Sequence, residues 1–298
     1  MRQPLRTLAA LCLGVALAPT AFAQQADLNV SPKRVVFDAA TRTATVFVFN
    51  RGDAAASYAV DVVERAMLPD GRILDVAEAD VPGAPADLVR AAGAVRAASA
   101  KPMITFTPRR VTLQPGQSQT IRVRMLRPAD LAPGEYRAHL TIATLPPEDA
   151  GLTAEAAAVA TEGRLAVRIV TLYSLGIPLI ARQGDATATA DATGLRLVEE
   201  ERRAEDGGVA RTSVLVFDLA RHGAGSVYGN LEVRSAREAG GEALGLVRGI
   251  AVYPEVDRRE IRIPLRRRPA RGERLTLRFV DDDRTPGTPL ADASLVVP

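Results

Sequence analysis

Cysteine is almost absent from this sequence: Cys12 is the one example in 298 residues. It lies in an N-terminal segment that reads as a cleaved leader, so the mature chain has no thiol. Disulfide stapling, thiol catalysis and thiolate metal sites are thereby excluded, and the fold must be held by its core alone. Tryptophan is missing and aromatics make up 4%, so the cores are built mainly from Val, Leu, Ile and Ala. No excess of one charge exists: 38 basic residues face 35 acidic ones. Removing Arg2 and Arg6 with the leader brings the balance closer still to neutral, which argues against a nucleic-acid binder driven by bulk charge. Long apolar runs are also lacking, and none reaches the length of a membrane span.

Histidine is nearly as scarce, with His139 and His222 alone. Two histidines in unrelated contexts make neither a catalytic triad nor a zinc site. Asp281-Asp282-Asp283 lacks the spacing of a calcium loop and reads as an acidic turn. Glu199 to Arg203 and Arg266-Arg267-Arg268 read as solvated charge runs. No phosphate loop or dinucleotide glycine fingerprint occurs. The expectation is a binding protein, not an enzyme, with no cofactor, no metal and no ATP.

The leader itself is legible. Arg2 and Arg6 form a basic start, Thr7 to Leu17 a short apolar stretch, and Ala21-Phe22-Ala23 a small-x-small cleavage site. This is the pattern of a secretory signal peptide over 1–23, and it predicts export.

What remains is dominated by period-two alternation. Thr43 to Asn50, Tyr58 to Glu64, Gln119 to Met125 and Tyr136 to Leu145 each alternate apolar and polar residues. Clusters such as Asn50-Arg51-Gly52-Asp53, Pro69-Asp70-Gly71 and Pro115-Gly116 separate the runs. The second half repeats the style, with candidates at 194–198, 212–220, 227–233, 244–253, 260–265, 274–280 and 293–297. Many short strands with little helical periodicity predict an all-β chain of sandwich domains. Two stretches stand apart: Ala84 to Lys101, which has room for one helical turn, and Glu148 to Thr161, helical or irregular.

The halves echo one another. Thr120-Ile121-Arg122-Val123-Arg124 leads through Pro128-Ala129 to Gly134-Glu135, and Glu260-Ile261-Arg262-Ile263-Pro264 leads through Pro269-Ala270 to Gly272-Glu273. Chance in an Arg- and Ala-rich chain gives such a match; two domains of one sandwich type give it too. On the second reading the boundary falls near Gly176-Ile177-Pro178, with domains at 24–178 and 179–298.

Three segments in order carry a family likeness: Lys33-Arg34-Val35-Val36-Phe37, then Leu113-Gln114-Pro115-Gly116 running on to Ile121-Arg122-Val123, then Gly134-Glu135-Tyr136-Arg137-Ala138-His139-Leu140. Together they resemble the periplasmic pilus-assembly chaperones of the chaperone–usher pathway, over roughly Leu28 to Pro178. The resemblance implies two immunoglobulin-like β-sandwiches in a boomerang arrangement, working in the periplasm. It implies pilus or fimbrial subunits and an outer-membrane usher as partners. Leu165, Val167 and Ile169 alternate on a strand after a long polar loop. The resemblance gives them the role of a strand donated to an incomplete subunit, while the same alternation also suits residues lining the domain's own core. Arg34 matches the position that binds the subunit's C-terminal carboxylate. A second basic anchor is expected late in the following strand, where this chain has no basic residue at 170–174; Arg168 is the nearest, and Arg182 lies beyond. Glu135 and Asp282 match positions that fix the angle between domains through a shared arginine. Tyr136 suits the tyrosine corner of such sandwiches. A secreted structural or adhesive protein of immunoglobulin-like domains is the alternative reading.

Overall fold

A computed structural model describes residues 27–146, 172–203, 208–238 and 242–298. The leader and Leu165, Val167, Arg168 and Ile169 lie outside the described residues, as does the stretch Glu148 to Thr161.

The first sandwich begins with β1 (Leu28–Ser31), β2 (Val35–Phe37), β3 (Thr43–Asn50) and β4 (Ala56–Val63). Alternation decides which side chains enter the core: in β3, Val46 and Val48 are buried while Phe47 and Phe49 face outward. After β4 the chain leaves the sandwich. It forms a small hairpin of β5 (Arg65–Met67) and β6 (Ile73–Asp75), a 3-10 turn and a helix, α1 (Ala86–Ala97). It returns through β7 (Ile104–Thr107), β8 (Arg110–Leu113), β9 (Ser118–Met125), β10 (Gly134–Thr144) and β11 (Ser174–Gln183). One sheet has the order β1-β3-β9-β7 and the other β2-β11-β10-β4-β8. These strands pair antiparallel except for the short parallel pairing of β2 with β11; an isolated parallel bridge also joins Ser99 to Arg137.

The second sandwich holds β12 (Ala188–Arg203), β13 (Val209–Gly223), β14 (Val227–Ser235), β15 (Gly245–Val252), β16 (Arg258–Pro264), β17 (Arg274–Asp281) and β18 (Pro289–Val296). Its sheets run β12-β13-β16 and β15-β14-β17-β18. The pairings β13 with β16 and β14 with β17 repeat those of β3 with β9 and β4 with β10. Ile121 and Ile261 thus occupy equivalent strands, and Glu135 and Glu273 stand at the start of equivalent strands. The echo in the sequence marks one architecture used twice: two immunoglobulin-like sandwiches, each with its own apolar core.

The structure moves two expectations and bears on a third. β11 runs past Pro178, where the sequence reading places the domain boundary. Gly176 and Pro178 look like breakers, yet β11 continues to Gln183 because it pairs with β10 along its whole length. The crossing segment is 184–187. Ala84 to Lys101 holds far more than one turn: α1 spans 12 residues. Leu88, Ala91, Ala92 and Val95 fall on one face at helical spacing and are buried. With Ala66, Leu68 and Val76 they make a third small apolar cluster, separate from both sandwich cores. Finally, the charge runs are not merely solvated. Arg262 bridges Glu200 and Glu260 across strands, Arg266 pairs with Glu242, and Arg267 holds the buried Glu273.

Candidate functional site: the junction of the two sandwiches

β10 is polar on a face that lies buried. Ala138, Leu140 and Ile142 enter the first core, while Glu135, Arg137 and His139 point the other way and are also buried. A strand can bury charges on its second face only if partners meet them. Here the second domain and the β5–β6 hairpin supply those partners.

Glu135 Oε2 accepts hydrogen bonds from Ser226 N–H at 3.1 Å, Ser226 Oγ at 3.0 Å and Arg182 Nε at 3.1 Å. Arg182 Nη2 continues to Asp283 Oδ2, and Asp283 Oδ1 takes Arg34 Nη1 at 3.0 Å. The guanidinium of Arg34 lies 4.4 Å from the ring centre of Tyr228. The chain Arg34–Asp283–Arg182–Glu135–Ser226 therefore crosses between domains three times. Burial alone would raise the Asp283 carboxyl, but Arg182 and Arg34 hold it below the usual carboxylate range.

A second cluster lies further along β10. Arg137 donates from both Nη atoms to Glu255, one of these bonds at 2.8 Å, with its guanidinium 3.8 Å from the centre of the Tyr253 ring. Both side chains are almost fully buried. Glu255 also accepts from Met67 N–H at 2.8 Å, so the hairpin is tied to the second domain. His139 sits beside this pair; burial, then the charges of Arg137 and Arg65, push its pKa well below the usual imidazole value. It is neutral at physiological pH. Ile180 and Met67 complete the junction by joining the core of the second domain. The connection between domains is tight: a Cβ on Gly225 would stand 2.0 Å from Ala186 O.

The arginine shared between domains, which the sequence left open, is Arg182. Its acidic partners are Glu135 and Asp283. Asp282 itself is exposed, and its neighbour Asp283 turns inward to Arg182. Tyr136 Oη donates to Ala132 O at 3.0 Å, the bond that makes a tyrosine corner.

Arg34 stands at the junction, next to Val35, which pairs with Leu179 of β11. Its Nε and Nη2 are buried without a partner. The neighbouring edge of β11 is open in part. β11 pairs with β2 over Leu179–Ala181 alone. Ser174 to Pro178 have β10 on one side and, among the described residues, no strand on the other. No basic residue stands on β11 before Arg182, so the second anchor has no counterpart on the described part of that strand. Among the described residues no group of His, Asp and Glu is arranged to hold a metal ion, and no helix is long and apolar enough to cross a membrane.

No protein-family model matches the sequence, and no curated protein matches it either. The chain is similar in structure to solved periplasmic pilus chaperones. The CupB2 chaperone of Pseudomonas aeruginosa matches with 14% identity and a TM-score of 0.41, over 91% of this chain and 100% of that one. A chain from the complex of the Salmonella enterica SafA pilin with the SafB chaperone gives 15% and 0.42, over 93% and 99%. The E. coli chaperone DraB gives 14% and 0.36, over 91% and 99%. At such identities and scores no role is carried over from these proteins.

Proposed function

We propose that this chain is an exported, periplasmic chaperone for pilus or fimbrial subunits, without enzymatic activity or any need for ATP. It lends an incomplete subunit a strand and passes it to an outer-membrane usher. The observation that carries the reading is the open edge of β11 from Ser174 to Pro178 beside a buried arginine, Arg34, with unpaired donors. An open edge is a template for strand addition. A guanidinium offers a bidentate fork to a carboxylate. Leu165, Val167 and Ile169 share the odd-numbered parity of Tyr173, Leu175, Ile177 and Leu179, which pack in or against the first core. In this reading they continue that apolar row into the subunit's groove, and Arg34, docked on the subunit's C-terminal carboxylate, sets the register.

The test is co-expression with candidate pilins and recovery of complexes from the periplasm. Val167→Asp and Ile169→Asp should abolish capture, because an unpaired charge does not enter an apolar groove. Arg34→Ala should leave a folded, exported protein that accumulates no complex. Folded variants of all three that capture pilin at the unsubstituted level would sink the reading and favour a structural or adhesive protein.

A further inference from the structure

The outer face of the sheet β1-β3-β9-β7 looks away from β11, on the far side of the first sandwich. No acidic residue stands on any of its four strands. Arg122 and Arg124 are exposed on β9, and their side chains make no hydrogen bond or ion pair among the described residues. The other sandwich supplies the contrast. Arg262 holds the place in β16 that Arg122 holds in β9, after the equivalent isoleucine, and it lies between Glu200 and Glu260. Where the second domain has Glu260, the first has Thr120. A pattern neutralised in one copy is left positive in the other.

Hydroxyls surround the two cations. Arg122 is flanked across the strands by Thr45 and Thr107, and Arg124 by Thr43 and Thr105. All four threonines are exposed. The two rows stand roughly 7 Å apart along the strands, and they wall a trough of about 590 Å³. A guanidinium only donates and a hydroxyl can donate, so the trough suits groups that only accept, such as phosphate oxygens.

Beside the trough the same face turns apolar. Phe47 is 52% exposed and Phe49 36%. Alternation puts both rings outside because Val46 and Val48 fill the core. Phe47 pairs with Thr120, one step along the face of β9 from Arg122. Unpaired guanidiniums, hydroxyl donors and two exposed rings thus share one acid-free sheet face. Phospholipid offers the complement of each: phosphates for the donors and an acyl boundary for the rings.

We propose that this face docks the first domain on an anionic phospholipid surface, with Arg122 and Arg124 on lipid phosphates and Phe47 and Phe49 at the acyl boundary. The contact leaves the edge of β11 free, and the inference does not depend on the chaperone reading.

The test is sedimentation of the full mature chain with vesicles of phosphatidylcholine alone, and with vesicles of phosphatidylcholine and phosphatidylglycerol in equal parts. The protein should sediment with the anionic vesicles only, and added salt should release it. Arg122→Gln with Arg124→Gln should weaken binding roughly thirtyfold, the loss of two cations near an anionic surface. Phe47→Ser with Phe49→Ser should weaken it about tenfold. Arg196→Gln, at an exposed arginine of the second domain, should bind as the unsubstituted chain does. The chain has no tryptophan, so Phe47→Trp is a single reporter whose emission should shift to the blue on anionic vesicles. That shift decides the matter should either double variant fail to fold. Equal sedimentation with both vesicles, undiminished binding by the folded arginine variant, or unshifted emission from bound Phe47→Trp overturns the proposal. Capture of polyglutamate without any binding to anionic vesicles overturns it in favour of an acidic protein partner.

Discussion

Glu135 and Glu273 occupy equivalent places in the two sandwiches and do different work. Each follows a glycine at the entry to the strand that pairs with β4 or with β14. Each is buried, accepts from a serine hydroxyl and pairs with an arginine. For Glu273 the partners are local: Ser235 Oγ at 2.5 Å, Arg267 Nη2 at 2.8 Å and Ala270 N–H at 2.7 Å. For Glu135 the serine is Ser226 of the other domain, and Arg182 reaches on to Asp283 there. The same buried carboxylate thus closes a turn in one copy and joins two domains in the other. Position in a repeated fold sets burial and chemistry; the neighbouring surface sets what the chemistry holds together.

The comparison can be sharpened by substitution. The largest effect should come from Glu255→Ala, beside Glu135 in the junction, because it strands the buried Arg137. Losing one partner of a buried pair costs about 3–5 kcal/mol, and chemical denaturation should record it. Glu273→Ala should cost the second domain about 2–3 kcal/mol, since three donors lose their acceptor. Hydrogen bonds from Arg267, together with Ser235 and Ala270, hold the Glu273 carboxyl down to about 2, against 4.5 in the unfolded chain. Its contribution is therefore complete above pH 4.5 and lost as pH falls towards 2. Glu273→Gln should flatten the acid limb of a melting-temperature profile over that window. A profile with the unsubstituted slope would show that Glu273 does not titrate as described.

Glu135→Gln should behave differently from its counterpart. The cost is about 1–2 kcal/mol, and it should fall on the junction: calorimetry should resolve two transitions, against the one expected of the unsubstituted chain. A single transition shifted as a whole would mean that Glu135, like Glu273, serves its own domain. The smallest effects belong to Tyr136→Phe, which removes one hydrogen bond worth about 1 kcal/mol, and Asp282→Ala, expected within about 0.5 kcal/mol as an exposed change.

Much of the architecture was legible because alternation writes the strand faces into the sequence. Val46 and Val48 against Phe47 and Phe49, or Ala138 and Leu140 against Arg137 and His139, show both the success and its limit. The pattern gives the parity of a strand but not what covers its polar face. That Glu135 needs a bridging arginine was readable from the resemblance; that the arginine is Arg182 was not, because its partners lie 47 and 101 positions away. Asp282 and Asp283 are indistinguishable in composition, and a turn sends one inward and one to water. The helix α1 was under-read because half of its buried face is alanine, which gives weak contrast against an Ala-rich exposed face. The full length of β11 was hidden by Pro178, which interrupts a run on paper but is tolerated in a strand open on one side.

The junction has a consequence for handling. Its contacts are largely guanidinium on carboxylate, with Ile180 and Met67 as a small oily seam. If the two lobes swing apart, most of what meets solvent is readily wetted. Water can take over those bonds, whereas a hinge lined with leucine would expose a sticky face and seek another molecule. Opening should then be reversible and leave the protein dispersed, and moderate salt should ease it by weakening the ionic contacts as they become hydrated.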